Sequence, residues 1–233
     1  DKARTDRASL QGKPMFYGSI FTSAAQESNA YPKLVSAMET TDILRKYDEE
    51  GKVLLTISLW KPKRELSLMA FPFCKALKKP CKEIVGFQNA WDMELSKRYS
   101  VYATRFSEYI GDKISKKKYS CLYEITAHAI QYLLYNSVEA EQLDGVVFPS
   151  VWCDGQGMNI CLKKEVVDEC IDFQGAQVQL LDKIKGEATM LPVADSQINS
   201  EGMLEWTLNR DFLKLLGSDG IQKLYREGLL KII

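Results

Sequence analysis

The sequence predicts an α+β fold with a helical insertion and a helical end, and three observations carry that prediction. Short runs rich in β-branched and aromatic residues read as strands. Segments with apolar residues three and four apart read as helices. The two kinds are separated along the chain, with helical patterns crowding the middle third and extended runs following residue 150. At 233 residues, 45% apolar and 27% charged, the chain can bury a full core as one large domain spanning 1–233.

Taken in order, residues 14–19 (PMFYGS) form a short apolar and aromatic run after Gly12, as expected of an early strand. Residues 32–44 place Leu34, Val35, Met38 and Leu44 near helical spacing, with Pro32 suited to a first turn and Glu39 beside the apolar stripe. The run 53–60 (VLLTISLW) has strand formers and no charge, which predicts a central strand. Residues 82–114 read as one or two helices, divided near 97–100. Between 120 and 135, Leu122, Ile125, Ala129, Tyr132 and Leu133 form a helical stripe with His128 beside it, where packing is the expected role for the histidine. Strands are expected around 178–181, 188–193 and 204–208, and helices over 211–216 and 221–230 with Gly217 and Gly220 between them.

Composition excludes several function classes. Lys plus Arg and Asp plus Glu each total 31, so no net charge draws the chain to nucleic acid or to an anionic membrane. The basic clusters at Lys75, Lys78, Lys79 and Lys82 and at 116–118 read as solvated faces. No run reaches the roughly 18 apolar residues of a membrane span, and no secretion signal is visible. The chain opens on Asp1 rather than Met, which leaves room for an upstream segment. Six cysteines without a CxxC pair, and a single histidine, offer no zinc set. Free thiols in a reducing cytosol are the simpler reading, so a cytoplasmic location is expected and no metal.

The stretch 144–162 (DGVVFPSVWCDGQGMNICL) carries the strongest signal for a site. A buried strand ends at Pro149-Ser150, a glycine-spaced loop follows, and an apolar segment resumes near Asn159. Ser150 thereby stands where a side chain can face a cleft on a fixed backbone. A serine that merely ends a strand or caps a turn is the bland alternative. With one histidine in the chain and no GxSxG around Ser150, acyl transfer is poorly supported, and Ser150 reads as a ligand-binding hydroxyl rather than a nucleophile.

Three segments occur in an order that resembles the RES-domain family, named for an arginine, a glutamate and a serine: Arg7 in DRASLQGKPMFYGS, Glu39 in SAMETTDIL and Ser150 in DGVVFPS. Tyr17 in the PMFYGS run, Tyr123 to Thr126 (YEIT) and Asn159 in GMNICL extend the resemblance. It covers the chain from Arg7 to about Leu162. Two positions depart from the family pattern: Asp6 replaces a glycine before the arginine, and Ser9 stands where an asparagine is usual. A further arginine expected near the start of the family's domain has no clear match here: Arg4 is one candidate, and a position upstream of Asp1 the other.

The resemblance implies an ADP-ribosyltransferase-like fold, a bent and split β-structure with helices outside and a nucleotide in the cleft. It implies NAD as substrate, no metal, and a bacterial toxin whose antitoxin partner blocks the cleft; a homo-oligomer is compatible with it. In the implied chemistry Glu39 stabilises positive charge developing on the ribose as the bond to nicotinamide breaks. Arg7 holds the diphosphate through paired N–H donors, Tyr17 borders the nicotinamide, Ser150 bonds its amide or the adjacent ribose, and Asn159 orders the serine loop. Glycohydrolase or phosphorylase action is favoured over ADP-ribosyl transfer to a protein. The alternatives are a catalytically silent nucleotide- or protein-binding module and an enzyme for another nucleotide. On the residues alone, Arg7 as a surface residue, Glu39 as half of a helix-face ion pair and Tyr17 as core filling all remain open.

Overall fold

The computed structural model describes residues 5–20, 31–75, 77, 79–95, 101–114, 122–215, 217 and 219. In chain order these form β1 (Phe16–Ile20), α1 (Tyr31–Thr40), α2 (Asp42–Arg45), β2 (Gly51–Pro62), β3 (Leu68–Ala70), α3 (Lys82–Ala90), a π-helical turn (Trp91–Leu95), α4 (Val101–Ile114), α5 (Leu122–Tyr135), a 3-10 turn (Ala140–Gln142), β4 (Gly145–Pro149), β5 (Met158–Leu162), α6 (Lys164–Cys170), β6 (Ile171–Ile184), β7 (Glu187–Ile198) and β8 (Leu204–Leu208). The fold is α+β, with two four-stranded sheets among the described residues. Two compact units result, one from Asp1–Thr41 with Pro62–Ile171 and one from Asp42–Lys61 with Asp172–Ile233.

In the first unit the strand order is β1-β5-β4-β3, with β5 antiparallel to both neighbours and β3 parallel to β4. The runs GVVFP and MNICL bury every position, which is why they lack the alternation of a half-solvated strand. Register pairs Tyr17 with Cys161, Ser19 with Asn159, and Asn159 with Phe148. Because strand side chains alternate, Tyr17, Ser19, Val146, Phe148, Asn159 and Cys161 share one face of the sheet. On that side Ile110 and Ile114 of α4 and Ile130 and Leu134 of α5 pack with Phe71, Val146, Phe148 and Cys161. Each such fully buried aliphatic side chain stabilises the fold by about 1.5–3 kcal/mol. The opposite face is apolar throughout: Val147 and Met158 meet Ile84 of α3, while Phe16, Ile160 and Leu162 meet Val167 and Ile171. The start of β4 is pinned by Asp144, whose carboxylate accepts two bonds from the Arg64 guanidinium, both 2.7 Å, and one from the Ser67 amide.

The second unit has the order β2-β6-β7-β8. Strands β6 and β7 join through Lys185-Gly186, both at positive φ (51° and 82°), the signature of a two-residue hairpin turn whose twist matches its strands. Lys183 of β6 is buried and donates to the carbonyls of Ile43, Lys46 and Tyr47, closing the open end of α2.

Three expectations are corrected here. The run 53–60 is an edge strand of this sheet rather than a central one, with Leu54 63% exposed. Strand formers suit edge and centre alike, and which strands flank a run is decided elsewhere in the chain. The helical pattern of 32–44 breaks at Thr41 into α1 and the single turn α2. His128 does not pack: it is exposed, its Nδ1 paired with the Glu124 carbonyl 2.8 Å away in its own helix. Lys75, Lys79 and Lys82 are exposed. Lys78, the division at 97–100, the basic run 116–118 and the helix expected over 221–230 lie outside the described residues.

Candidate functional site

Glu39 belongs to the last turn of α1, whose Val35 and Ala37 are each 1% exposed and draw the helix against the first unit's core. Its carboxylate is nearly as buried, the side chain only 4% exposed. Ser150 directly follows β4 and Asn159 sits inside β5, both with no exposed surface. The three side chains meet at one atom. Ser150 Oγ donates to Glu39 Oε1 at 2.7 Å, and Asn159 Nδ2 donates to the same oxygen at 2.9 Å. Both lengths suit bonds to a carboxylate. The loop from Ser150 to Gly157 closes on itself through Ser150 N to Gly157 O (2.8 Å) and Gly155 N to Ser150 O (2.9 Å). Gly155 adopts φ +81°, which a residue with a side chain reaches only under strain.

Arg7 approaches the other carboxylate oxygen, with Nη2 3.8 Å from Glu39 Oε2. It is no surface residue, being 7% exposed. Its Nη1 donates to the Ile114 carbonyl at the end of α4, and its guanidinium lies over the Tyr123 ring, 5.3 Å from the centroid. Helix α5 holds the loop that carries it: Thr126 Oγ1 donates to Arg7 O at 2.8 Å and Gln131 Nε2 to Ala8 O at 3.2 Å. The departures at Asp6 and Ser9 are absorbed locally, since Asp6 Oδ1 accepts from the Arg7 amide and Ser9 Oγ from the Met15 amide. Burial by itself would lower the Arg7 guanidinium, but Tyr17, Glu39, Tyr123 and Asp6 outweigh it and hold the group above its ordinary value.

Tyr17 lies tilted against Phe148 on the shared sheet face, ring centroids 6.0 Å apart. Its hydroxyl is held well above the ordinary phenol range, first by burial and then by the Glu39 carboxylate, although 38% of the residue as a whole meets solvent. Burial likewise pushes the neighbouring Cys161 thiol well up, so it stands there as an inert, protonated group. Ser19 Oγ reaches Asn159 Oδ1 at 3.4 Å, a long bond that turns the amide so its nitrogen faces Glu39.

The structure thus brings Arg7, Glu39, Ser150, Asn159 and Tyr17 to one side of the first sheet, from three strands or strand ends, one helix and the N-terminal loop. Asn159 differs from its expected place as an organiser of the serine loop, because it bonds Glu39 itself. The supporting bonds of Thr126, Gln131 and Ser19 carry no signal in the sequence, since each acts across 119 to 140 residues and no local pattern encodes such pairs. What assembles is a carboxylate with one oxygen fixed by two neutral donors and the other turned toward a cation, in surroundings of low dielectric. Such a group is preorganised to stabilise a positive charge or to accept a further hydroxyl.

Among the described residues no group of three or more His, Cys, Asp or Glu side chains is placed to hold a metal ion, no cysteine is paired in a disulfide, and no helix is long and apolar enough to cross a membrane. No family model, no curated protein and no solved structure matches the chain.

Proposed function

We propose that the chain cleaves the bond between nicotinamide and ribose in NAD, with an ADP-ribosyltransferase-like fold as its frame. The observation that carries this reading is the Glu39 carboxylate, bonded at Oε1 by Ser150 and Asn159 and faced at Oε2 by Arg7. Those residues are the ones through which the sequence resembles RES-domain toxins. In the reaction the C1′–N bond breaks and its electron pair passes to the nicotinamide ring nitrogen, cancelling the ring's positive charge. Water then bonds C1′ and releases a proton to solvent, giving ADP-ribose, nicotinamide and H⁺; phosphate in place of water gives the phosphorolytic variant. Glu39 stabilises the cationic sugar between these events, and the interaction strengthens as charge develops, so it raises the rate rather than only the affinity. Ser150 and Asn159 orient the carboxylate, Arg7 holds its far oxygen, and the partly exposed Tyr17 borders the leaving nicotinamide. The same reading assigns the protein to cytoplasmic toxins restrained by an antitoxin partner.

The test is nicotinamide release from NAD by the purified chain, beside Glu39→Gln and Ser150→Ala. Release by the parent that collapses in both folded variants is the expected result, and a folded parent that releases none sinks the reading. One observation favours a second reading, a catalytically silent protein-binding module on the same fold: the Arg7 guanidinium is engaged by Ile114 and Tyr123, inside the protein rather than open to a diphosphate. A folded parent that neither binds NAD nor releases nicotinamide would mark that outcome.

A further inference from the structure

We propose that Gly157 is a positioning residue: by lacking a side chain it lets α1 seat against the serine loop, and so sets the reach between Glu39 and Ser150. The inference rests on the NAD-cleaving reading for its consequence in catalysis, though not for the geometry. Gly157 is buried, and a Cβ built on it would lie 2.5 Å from Val35 Cγ2, 3.3 Å from Val35 Cγ1 and 3.5 Å from Val35 Cβ. Val35 is itself 1% exposed and precedes Glu39 by four residues, one helical turn along the same side of α1. The carbonyl of Gly157 accepts the Ser150 amide at 2.8 Å. One residue therefore touches both partners of the 2.7 Å bond, Ser150 through its backbone and the Glu39 helix through its bare Cα.

Space is what bars a side chain here. Gly157, unlike Gly155, does not adopt a left-handed backbone. Neither neighbour yields easily. Val35 is β-branched and stiff at χ1. The loop is braced from its other side, where Cys81 N donates to Gly155 O, the Gln156 side chain bonds the Lys79 carbonyl, and Leu77 and Pro80 pack against Gly155. A methyl at position 157 thus drives α1 and the loop apart by about 1 Å, the difference between 2.5 Å and ordinary contact near 3.4 Å. A 2.7 Å hydrogen bond stretched that far is lost. Removing both γ carbons of Val35 removes the two close approaches and leaves Cβ at 3.5 Å, an ordinary contact, so Val35→Ala should readmit the methyl.

The experiment compares the parent with Gly157→Ala, Val35→Ala and the double variant Val35→Ala/Gly157→Ala. Nicotinamide release by Gly157→Ala should fall about a hundredfold in kcat with KM little changed, the signature of misplaced chemistry rather than lost binding, and the double variant should recover to near the level of Val35→Ala. A second readout needs no turnover. In urea unfolding, the midpoint shifts of Ser150→Ala and Glu39→Ala should be non-additive in the parent background, additive in the Gly157→Ala background, and non-additive again in the double variant. A residue that merely stabilises the fold would move every midpoint without abolishing the coupling. Parental rate and coupling in Gly157→Ala, or a double variant that recovers neither, overturns the assignment. A parent that releases no nicotinamide overturns the NAD reading alone, because the urea cycles still decide what Gly157 does.

Discussion

Lys183 in the second unit and Glu39 in the first are both charged groups almost wholly removed from solvent, and they are satisfied by different kinds of partner. Lys183 gives its protons to three backbone carbonyls, Ile43, Lys46 and Tyr47, at the open end of α2. That use is complete in itself, since the last carbonyls of a helix have no partner within it and Lys183 supplies one. Glu39 is bonded by the side chains of Ser150 and Asn159, 111 and 120 residues away in sequence, whose own backbones are already held by the strand and loop around them. No backbone accounting calls for a serine, an asparagine and a glutamate to converge there. Buried charged groups are often replaceable by apolar residues of similar volume without loss of stability, so stability alone does not call for them. A buried charge spent on backbone is read as structural, and one held by other functional side chains as a candidate for chemistry.

The sharpest way to break this contrast is to remove each charge and measure rate and stability together. Glu39→Gln keeps the shape and an acceptor for Ser150 and Asn159 but loses the charge. Nicotinamide release should drop on the order of 10³-fold, near 4 kcal/mol in the barrier, with unfolding free energy changed by no more than about 2 kcal/mol. Lys183→Met should do the opposite, lowering unfolding free energy by about 3 kcal/mol in urea titrations while activity per folded molecule stays at the parental level. Were Lys183→Met to abolish turnover in folded protein, the division into structural and chemical charges would fail.

The sequence displayed the two kinds of region unequally. Strands β4 and β5 were legible because continuous apolar runs between turn residues have few other destinations, and Ser150 was visible because it follows such a strand directly. Glu39 was visible only through the order of the segments, since an acid beside a helical stripe is ordinary. The break at Thr41 was not visible: Leu44 continues the apolar spacing of Leu34, Val35 and Met38, yet it belongs to the separate turn α2. Nor could the edge position of β2 be read, because absence of charge says what a strand tolerates and not which strands flank it. Gly157 passed as loop punctuation, its meaning lying in Val35, 122 positions earlier in the chain.

A smaller test concerns Asp144 and Arg64, which staple the start of β4 in the same unit as the site. The Asp144 carboxyl is held below its ordinary value, chiefly by the Arg64 guanidinium and further by the Ser67 amide, against the opposing effect of burial. A depressed folded value means stability that is fully present above the unfolded value near 3.9 and is lost as pH falls through the folded one. The gap in urea midpoint between the parent and Asp144→Asn should therefore be constant from pH 7 to about 5 and close progressively in more acid solution. A gap that persists unchanged to pH 2 would show that the pair owes its effect to shape rather than charge.

The smallest effect is expected at His128, and it matters because this is the one histidine of the chain and the first suspect for a base beside Ser150. Thr126 and Gln131 of the same helix turn inward to hold the Arg7 loop. His128 of this helix is nonetheless exposed, with its Nδ1 at the Glu124 carbonyl. Ser150, for its part, already directs its hydroxyl to Glu39. His128→Ala should leave unfolding free energy within about 0.5 kcal/mol of the parent and nicotinamide release unchanged across pH 6 to 8. A rate that falls in folded His128→Ala would move the chemistry away from Glu39, and the distinction between the two buried charges would have to be drawn again.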